Sequence, residues 1–447
     1  MSVTSKTEGI RKNPLDSERL LWLLIALLFL ERLALILYIG VDEVSSGDDV
    51  AYIRGGICFA RTGIISVWED TPTALIMPGM PIVTGLISRL CGEGTLYLGT
   101  VKVLWSLMGA FTAVYLYRAA RLYLPGRWAL FAAAALLMPN RAWMDTIIST
   151  ETPYTLFFLA NFYYMLRLRS EPELPCLLRY TLSFLLALFF RANILVMPLF
   201  ALVWVLTGRK CGVKRFTKGA LIFCALCLVF FVPWTIRNYR IFDAFIPVSY
   251  GMGNPMLKGS YQGSTAPADE ELDYETNVDA IARQRYARYF DENGDYLNDS
   301  CMQYVSAMTD RLRADYRMRT WFSRNPVGFL RAYLIEKPMC MLTWVYYWGP
   351  DQPIILPLTN FLSKVNFVLC AVGAALSLLM KQKRGFVLLL CAVYWVNLYL
   401  IACSYAIERY AALLMPFRYM LGAVGLYLLF RLPAFAARRK AATGAKT

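Results

Sequence analysis

The sequence predicts an all-α, polytopic membrane protein, and three observations carry that expectation. Of 447 residues, 58% are hydrophobic, and the mean hydropathy is +0.45, well above an ordinary soluble chain. The apolar residues fall in blocks of about twenty, the length a helix needs to cross the hydrocarbon core of a bilayer. Lys and Arg cluster at the ends of these blocks, where they set topology. The formal charge of +15 is therefore accounted for by membrane anchors, and nucleic acid is not expected as a partner.

Leu20–Gly40 is the first expected span, with Glu31 and Arg32 as an internal pair, and the basic residues before it place its start on the cytoplasmic side. Residues 41–96 then form an outer connection. It opens with Ser46, which can cap a short helix whose first turn carries Asp48 and Asp49. It continues into Pro78-Gly-Met-Pro81, whose two prolines suit an interfacial helix better than a span. Tyr97–Tyr117, Trp128–Pro139, Thr152–Leu166, Tyr180–Phe190, Asn193–Leu206 and Gly219–Trp234 alternate in direction, and the strongly basic short loops all fall on one side. Residues 235–352 lack a span-length apolar run until about 328 and read as an extracytoplasmic segment, helical through Asp269–Arg324, with the aromatic stretch Gly328–Trp348 lying along the membrane surface. Spans at 354–380, 385–404 and 410–430 and a basic tail close the chain. The division is an N-terminal membrane module 1–234, an outer segment 235–352 and a C-terminal module 353–447, with about ten spans. No internal repeat stands out, which weakens the case for an inverted-repeat transporter.

The chain contains no histidine, so Ser-His-Asp and Cys-His nucleophiles, histidine metal sites and a histidine base are excluded. Catalysis must rest on carboxylates, Tyr, Lys or Arg. The eleven cysteines show no zinc-ligand spacing and read as small hydrophobes. The outer loops gather a common inventory: Asp48, Asp49 and Tyr52, then Glu151, Arg191, Arg237 and Asn238, and finally Glu408, Arg409 and Tyr410. Transfer of a sugar from a lipid-linked phosphate needs a carboxylate to take the acceptor's proton and cations to stabilise the departing phosphate, and this inventory supplies both. Asp48 and Tyr52 are four apart and share a helix face, whereas Asp49 points about a hundred degrees away. Gly55 and Gly56 admit a close approach by another backbone or a ligand. Each residue also has a plainer role open to it. The two aspartates suit a helix start, Glu151 is a first-turn acid before Pro153, and Arg237 and Arg409 sit where arginines snorkel to headgroups. Arg191, between two apolar runs, binds a phosphate or bridges to an acid such as Glu151. Tyr346, Tyr347 and Trp348 fit an interfacial aromatic belt.

Several ordered elements resemble the GT-C superfamily of membrane glycosyltransferases, and in particular glycosyltransferase family 39, which includes protein O-mannosyltransferases and lipid A aminoarabinose transferases. Asp48-Asp-Val-Ala-Tyr52 looks like the family's acidic-acidic-x-x-Tyr motif, and Pro78-Gly-Met-Pro81 like its Pro-Gly-x-Pro segment. Ile148-Ser-Thr-Glu151 resembles its second outer acidic turn, Pro233-Trp-Thr-Ile-Arg-Asn238 its Pro-Trp-x-x-Arg-Asn signature, and Arg409-Tyr410 followed by Pro416 its last outer loop. The resemblance implies a GT-C fold and an inverting transferase. The donor would be a polyprenyl-phosphate sugar and the acceptor a protein, lipid or cell-envelope glycan, at the outer face of a bacterial plasma membrane. Asp48 would be the base, supported by Asp49 and Tyr52. One departure is that some members carry a Lys near the Pro-Gly-x-Pro segment where this chain has Ala74-Leu-Ile-Met77, so arginines must serve the phosphate, with Arg237 and Arg409 the leading choices. Paired acids suit a divalent cation, but family 39-like members generally need none, so neither metal nor cofactor is expected. The alternatives are a transporter or flippase of lipid-linked sugars, which would place functional charges at midmembrane depth and on both faces, and a lipid-linked glycan polymerase or ligase.

Overall fold

The computed structural model describes residues 14–44, 47–67, 70–208, 213–269 and 272–444. The described residues are almost wholly helical, and their one β-type pairing is an isolated bridge between Phe290 and Tyr296. The N-terminal module runs through α1 (Pro14–Ile39), α2 (Gly47–Thr62), α3 (Gly79–Cys91), α4 (Thr95–Arg121), α5 (Gly126–Ala134), α6 (Pro139–Met144), α7 (Glu151–Leu168), α8 (Leu174–Phe190), α9 (Met197–Leu206) and α10 (Val213–Phe242). The intervening segment holds α11 (Gly253–Ser260), α12 (Ala280–Arg285), α13 (Asp299–Arg324), α14 (Pro326–Arg331) and α15 (Lys337–Thr343). The chain closes with α16 (Gln352–Met380), α17 (Arg384–Ser404), the short α18 (Glu408–Ala411) and α19 (Met415–Gly444).

Six described helices are long and apolar enough to cross a membrane: Ser17–Ile39, Thr95–Arg121, Lys214–Phe242, Gln352–Met380, Arg384–Ser404 and Glu408–Ala437. The polytopic, all-α architecture is the expected one, but the blocks at 128–139, 180–190 and 193–206 form helices of only 10–17 residues. The block at 128–139 is α5 followed by a 3-10 turn at Ala135–Leu137, and the block at 193–206 is a 3-10 turn followed by α9, which has Pro198 in its first turn. Proline at a helix start sets the first turn but cannot continue a helix from before it. α7 is buried along nearly its whole length and packs between α4 and α8. Leu116, Phe158, Leu159, Phe162 and Leu188 of these helices are fully enclosed in the main core.

At 13 residues, α3 is too short to span. It folds back on α2 to make the interfacial pair expected from its prolines. The contact is close because it is glycine-lined: a Cβ on Gly56 would lie 2.3 Å from Thr84 Oγ1, and one on Gly85 would lie 2.7 Å from the Gly56 carbonyl oxygen. Of the two neighbours expected for this glycine pair, the structure supplies another part of the chain. The intervening segment departs from continuous helix across Asp269–Arg324. It is helical from Glu275 to Arg285 and again from Asp299, with a tight turn between. Gly294 takes φ +87°, and Asp291 Oδ1 accepts hydrogen bonds from the Asn293 and Asp295 amides at 2.9 Å. An Asx turn of this kind competes directly with helix.

Candidate active site

Glu151 is the centre of the site. It opens α7, its side chain is 1% exposed, and two arginines meet on it. Arg409 donates from Nε to Oε1 at 2.8 Å and from Nη2 to Oε2 at 3.2 Å, a side-on bidentate pairing. Arg191 donates from Nη1 to the same Oε1 at 2.8 Å and to Thr150 Oγ1 at 2.9 Å. A buried carboxylate is costly unless its lone pairs are filled by charged donors, and here they are. Of the two roles open to Arg191, the structure shows the bridge to Glu151.

Arg409 also reaches outward. Its Nη1 donates to Asp48 Oδ2 at 2.6 Å, while the Asp48 side chain is 52% exposed. One guanidinium thus joins a buried acid to an open one. Asp49 is buried on the other side of α2. Lys102 of α4, which donates to the carbonyl oxygens of Gly40 and Glu43, feels the charges of Asp49, Asp42 and Glu43. The two aspartates therefore face different neighbours, as adjacent helical residues must. Ser46, the expected cap, lies outside the described residues.

Tyr52 is buried under Asp48, and burial foremost, with the Asp48 charge next, pushes its phenol well above the usual range. It stays a neutral phenol. Tyr410 lies beneath Arg191, whose guanidinium carbon is 5.0 Å from the ring centroid. Tyr346 also belongs here. Its phenol is pushed up to about 12 by burial, and the charges of Arg409, Glu151, Asp49 and Asp48 all reach it. Its ring packs 5.2 Å from that of Trp143, whereas Trp348 stays exposed as a belt residue does.

The local sequence explains the assembly. Arg191 ends α8 in an extended conformation at φ −150°. The Pro78-Gly-Met-Pro81 segment sits against that end: a Cβ on Gly79 would lie 2.4 Å from the Phe189 carbonyl oxygen, so only glycine lets α3 come this close to the residues before Arg191. Arg409 stands on α18, and the loop before it is held by Gln262, whose Nε2 donates to the Ala406 carbonyl oxygen at 3.0 Å and whose Oε1 accepts from the Ala406 amide at 2.8 Å.

Arg237 and Asn238 have other partners. Arg237 donates from Nη1 to the Thr73 carbonyl oxygen at 2.7 Å and to Asn238 Oδ1 at 2.8 Å, with its guanidinium over Trp234. Asn238 is fully buried and donates to the Ile246 carbonyl oxygen at 2.9 Å. The pair fastens the loop after α2 to the end of α10, and neither residue hydrogen-bonds to Asp48, Glu151, Arg191 or Arg409.

Behind the site lies a charge network that sequence reasoning found only in part. Arg32 does pair with Glu31, at 2.8 Å, but its larger partner is Asp145, whose Oδ2 accepts from Arg32 Nε at 3.0 Å and Nη2 at 2.9 Å. Asp145 Oδ1 accepts from Arg141 Nη2 at 2.7 Å and from Thr152 Oγ1 at 2.7 Å. Arg32 and Asp145 are completely enclosed. The i,i+4 spacing of Arg141 and Asp145 was the available signal.

Residues 76–236 match the model of a family described as dolichyl-phosphate-mannose-protein mannosyltransferase, so the resemblance read from the sequence is found again across that part of the chain. No curated protein sequence matches significantly. Among solved structures, the chain is similar to ArnT from Cupriavidus metallidurans. The undecaprenyl phosphate-bound crystal structure gives a TM-score of 0.42 at 14% identity over 93% of this chain and 78% of that one, and the apo structure gives 0.41 at 15% over 92% and 78%.

Proposed function

We propose that this chain is an inverting glycosyltransferase that moves a sugar from a polyprenyl-phosphate donor to a nucleophilic acceptor at the outer face of the membrane. The family match over residues 76–236 supports the class of reaction, and the observation that carries the assignment of roles is the shared guanidinium of Arg409. It holds Asp48 Oδ2 while Glu151 fixes it from behind.

In this reading Asp48 is the base. Its Oδ2 is taken by Arg409, and its half-exposed carboxylate is open to a hydroxyl or amine. The acceptor's oxygen or nitrogen attacks the anomeric carbon and its proton passes to Asp48. The bond between that carbon and the phosphate oxygen breaks, and the electron pair leaves with the polyprenyl phosphate. Arg191 and Arg409, both pinned by Glu151, carry fixed positive charge where the departing phosphate gains negative charge, and preorganised charge is the largest usual contribution to such a step. Asp49, Tyr52 and Tyr410 support the base and the arginines. The roles above need no metal ion.

The test is transfer by purified protein in nanodiscs, offered a panel of radiolabelled polyprenyl-phosphate sugars with membrane extract as acceptor, for the wild type and Asp48→Asn. Transfer from one donor that vanishes in the variant supports the reading. Absence of transfer from every donor, together with protein-dependent movement of a lipid-linked sugar across vesicles, replaces it with a flippase.

A further inference from the structure

A second concave site lies in the intervening segment, built by residues with no part in the Glu151 network. It is a cavity of about 350 Å³ between α12, the Phe290–Tyr296 turn and α13, within the range of small-ligand pockets, roughly 300–1,000 Å³. Ser306, Asp310 and Arg313, at i, i+4 and i+7, share one face of α13 and form one wall. Asp279 and Arg283 form another, and Phe290 and Tyr296 supply an aromatic side.

The walls are rigid. The two rings lie 4.7 Å apart across the bridge between Phe290 and Tyr296, and the turn between them is closed by the Asp291 amide donating to the Asp295 carbonyl oxygen at 2.8 Å. Tyr289, next to the turn, donates from its hydroxyl to the Phe242 carbonyl oxygen at 2.7 Å, tying the turn to the end of α10. Arg313 is oriented by Asp279, whose two oxygens both accept from Nη2, at 2.9 and 3.1 Å. Asn298 caps α13 by accepting from the Cys301 amide at 2.9 Å.

The charge balance decides the ligand class. Two aspartates face two arginines, so the cavity carries no excess of either sign. An anion such as a phosphate or nucleotide would gain nothing over solvent, and a cation would meet the arginines. What suits the wall is a neutral ligand rich in vicinal hydroxyls. Carboxylates accept and guanidiniums donate hydrogen bonds, so the wall can meet hydroxyls in both roles, and the C–H face of a pyranose packs on an aromatic ring such as Tyr296, which is 40% exposed. We infer that this cavity is a binding site for a neutral saccharide.

The experiment is saturation-transfer NMR on the full-length protein in nanodiscs, with chitotetraose, mannotetraose and cellotetraose as probes and a hyaluronan tetrasaccharide as the anionic control. Tyr296→Ala removes the aromatic side, and Ser306→Trp fills the cavity from an exposed position. The expected result is saturable binding of at least one neutral tetrasaccharide, weakened at least about tenfold in both variants, retained in Asp48→Asn, and absent for the control. Absence of binding by all three neutral probes, or binding that survives both substitutions, overturns the site. Because binding is read without transfer, a site that binds in a protein that never transfers would defeat the transferase reading and leave the saccharide site standing.

Discussion

Arg409 and Glu151 are 258 residues apart in sequence and joined by two hydrogen bonds, Nε to Oε1 at 2.8 Å and Nη2 to Oε2 at 3.2 Å. A planar guanidinium and a carboxylate meet edge to edge, which a lysine cannot reproduce. Arg409→Lys is therefore expected to keep the charge and lose the geometry. Transfer should fall by about a hundredfold or more, with the melting temperature within a few degrees of wild type. Full activity in that variant would remove Arg409 from the chemistry.

Glu151→Gln leaves Arg191 and Arg409 facing a neutral amide inside the protein. Removing one partner of a buried ion pair costs about 3–5 kcal/mol, and here two arginines lose the same partner. The expected outcome is a large drop in melting temperature in nanodiscs along with loss of transfer. The double variant Glu151→Gln/Arg191→Met should recover part of the stability and none of the activity, which a melting curve and a transfer assay together decide.

The network behind the site makes a steric prediction. A Cβ on Gly109 would lie 2.3 Å from Asp145 Cγ and Oδ2, so Gly109→Ala must displace a carboxylate that Arg32, Arg141 and Thr152 all hold. Overpacking of this kind costs about 1–3 kcal/mol. Thermal denaturation of the purified variant should register it, and an unchanged melting curve would mean that Asp145 is free to move.

Lys337 offers a pH test outside the membrane-spanning helices. It is buried, donates to the Gly259 carbonyl oxygen at 2.8 Å and lies 4.0 Å from the Tyr333 ring centroid, and burial lowers its amine to about 8 from an ordinary 10.5. The unfolded chain therefore binds more protons than the folded one between pH 8 and 10.5, and stability should rise with pH across that window. Lys337→Met removes the dependence. It is expected to raise the melting temperature at pH 7, and the gap between the variant and wild-type curves should narrow as pH rises from 8 to 10.5. A difference that does not change with pH would contradict the burial argument.

The inventory of outer-loop acids and arginines was legible because spans and basic loops fix which connections share a membrane face. Asp48, Glu151, Arg191, Arg409 and Tyr410 were all named from that logic, and the structure joins the four charged residues into one network with Tyr410 beneath Arg191. Of their pairings, only the Arg191–Glu151 bridge was among the expectations; that Arg409 meets Glu151 as well and joins it to Asp48 depends on how α18 packs, a tertiary fact that hydropathy does not carry. Arg237 matched a motif equally well, yet its donors are taken by the backbone of the loop after α2. Apolar content likewise located the block at 193–206 but not the break within it, and the Asp145 network stayed hidden because Arg32 looked complete with Glu31 beside it.

Because Arg409 lies 361 residues after Asp48, the joined network cannot exist until α18 has been made. A ribosome that has delivered α2, α7 and α8 to the membrane has placed Asp48, Glu151 and Arg191 without the guanidinium that ties them together. Until α18 emerges, Arg191 can pair with Glu151, but Asp48 has no guanidinium to join it to that pair. The order of the helices along the chain thus withholds the joined network until α18 is in place.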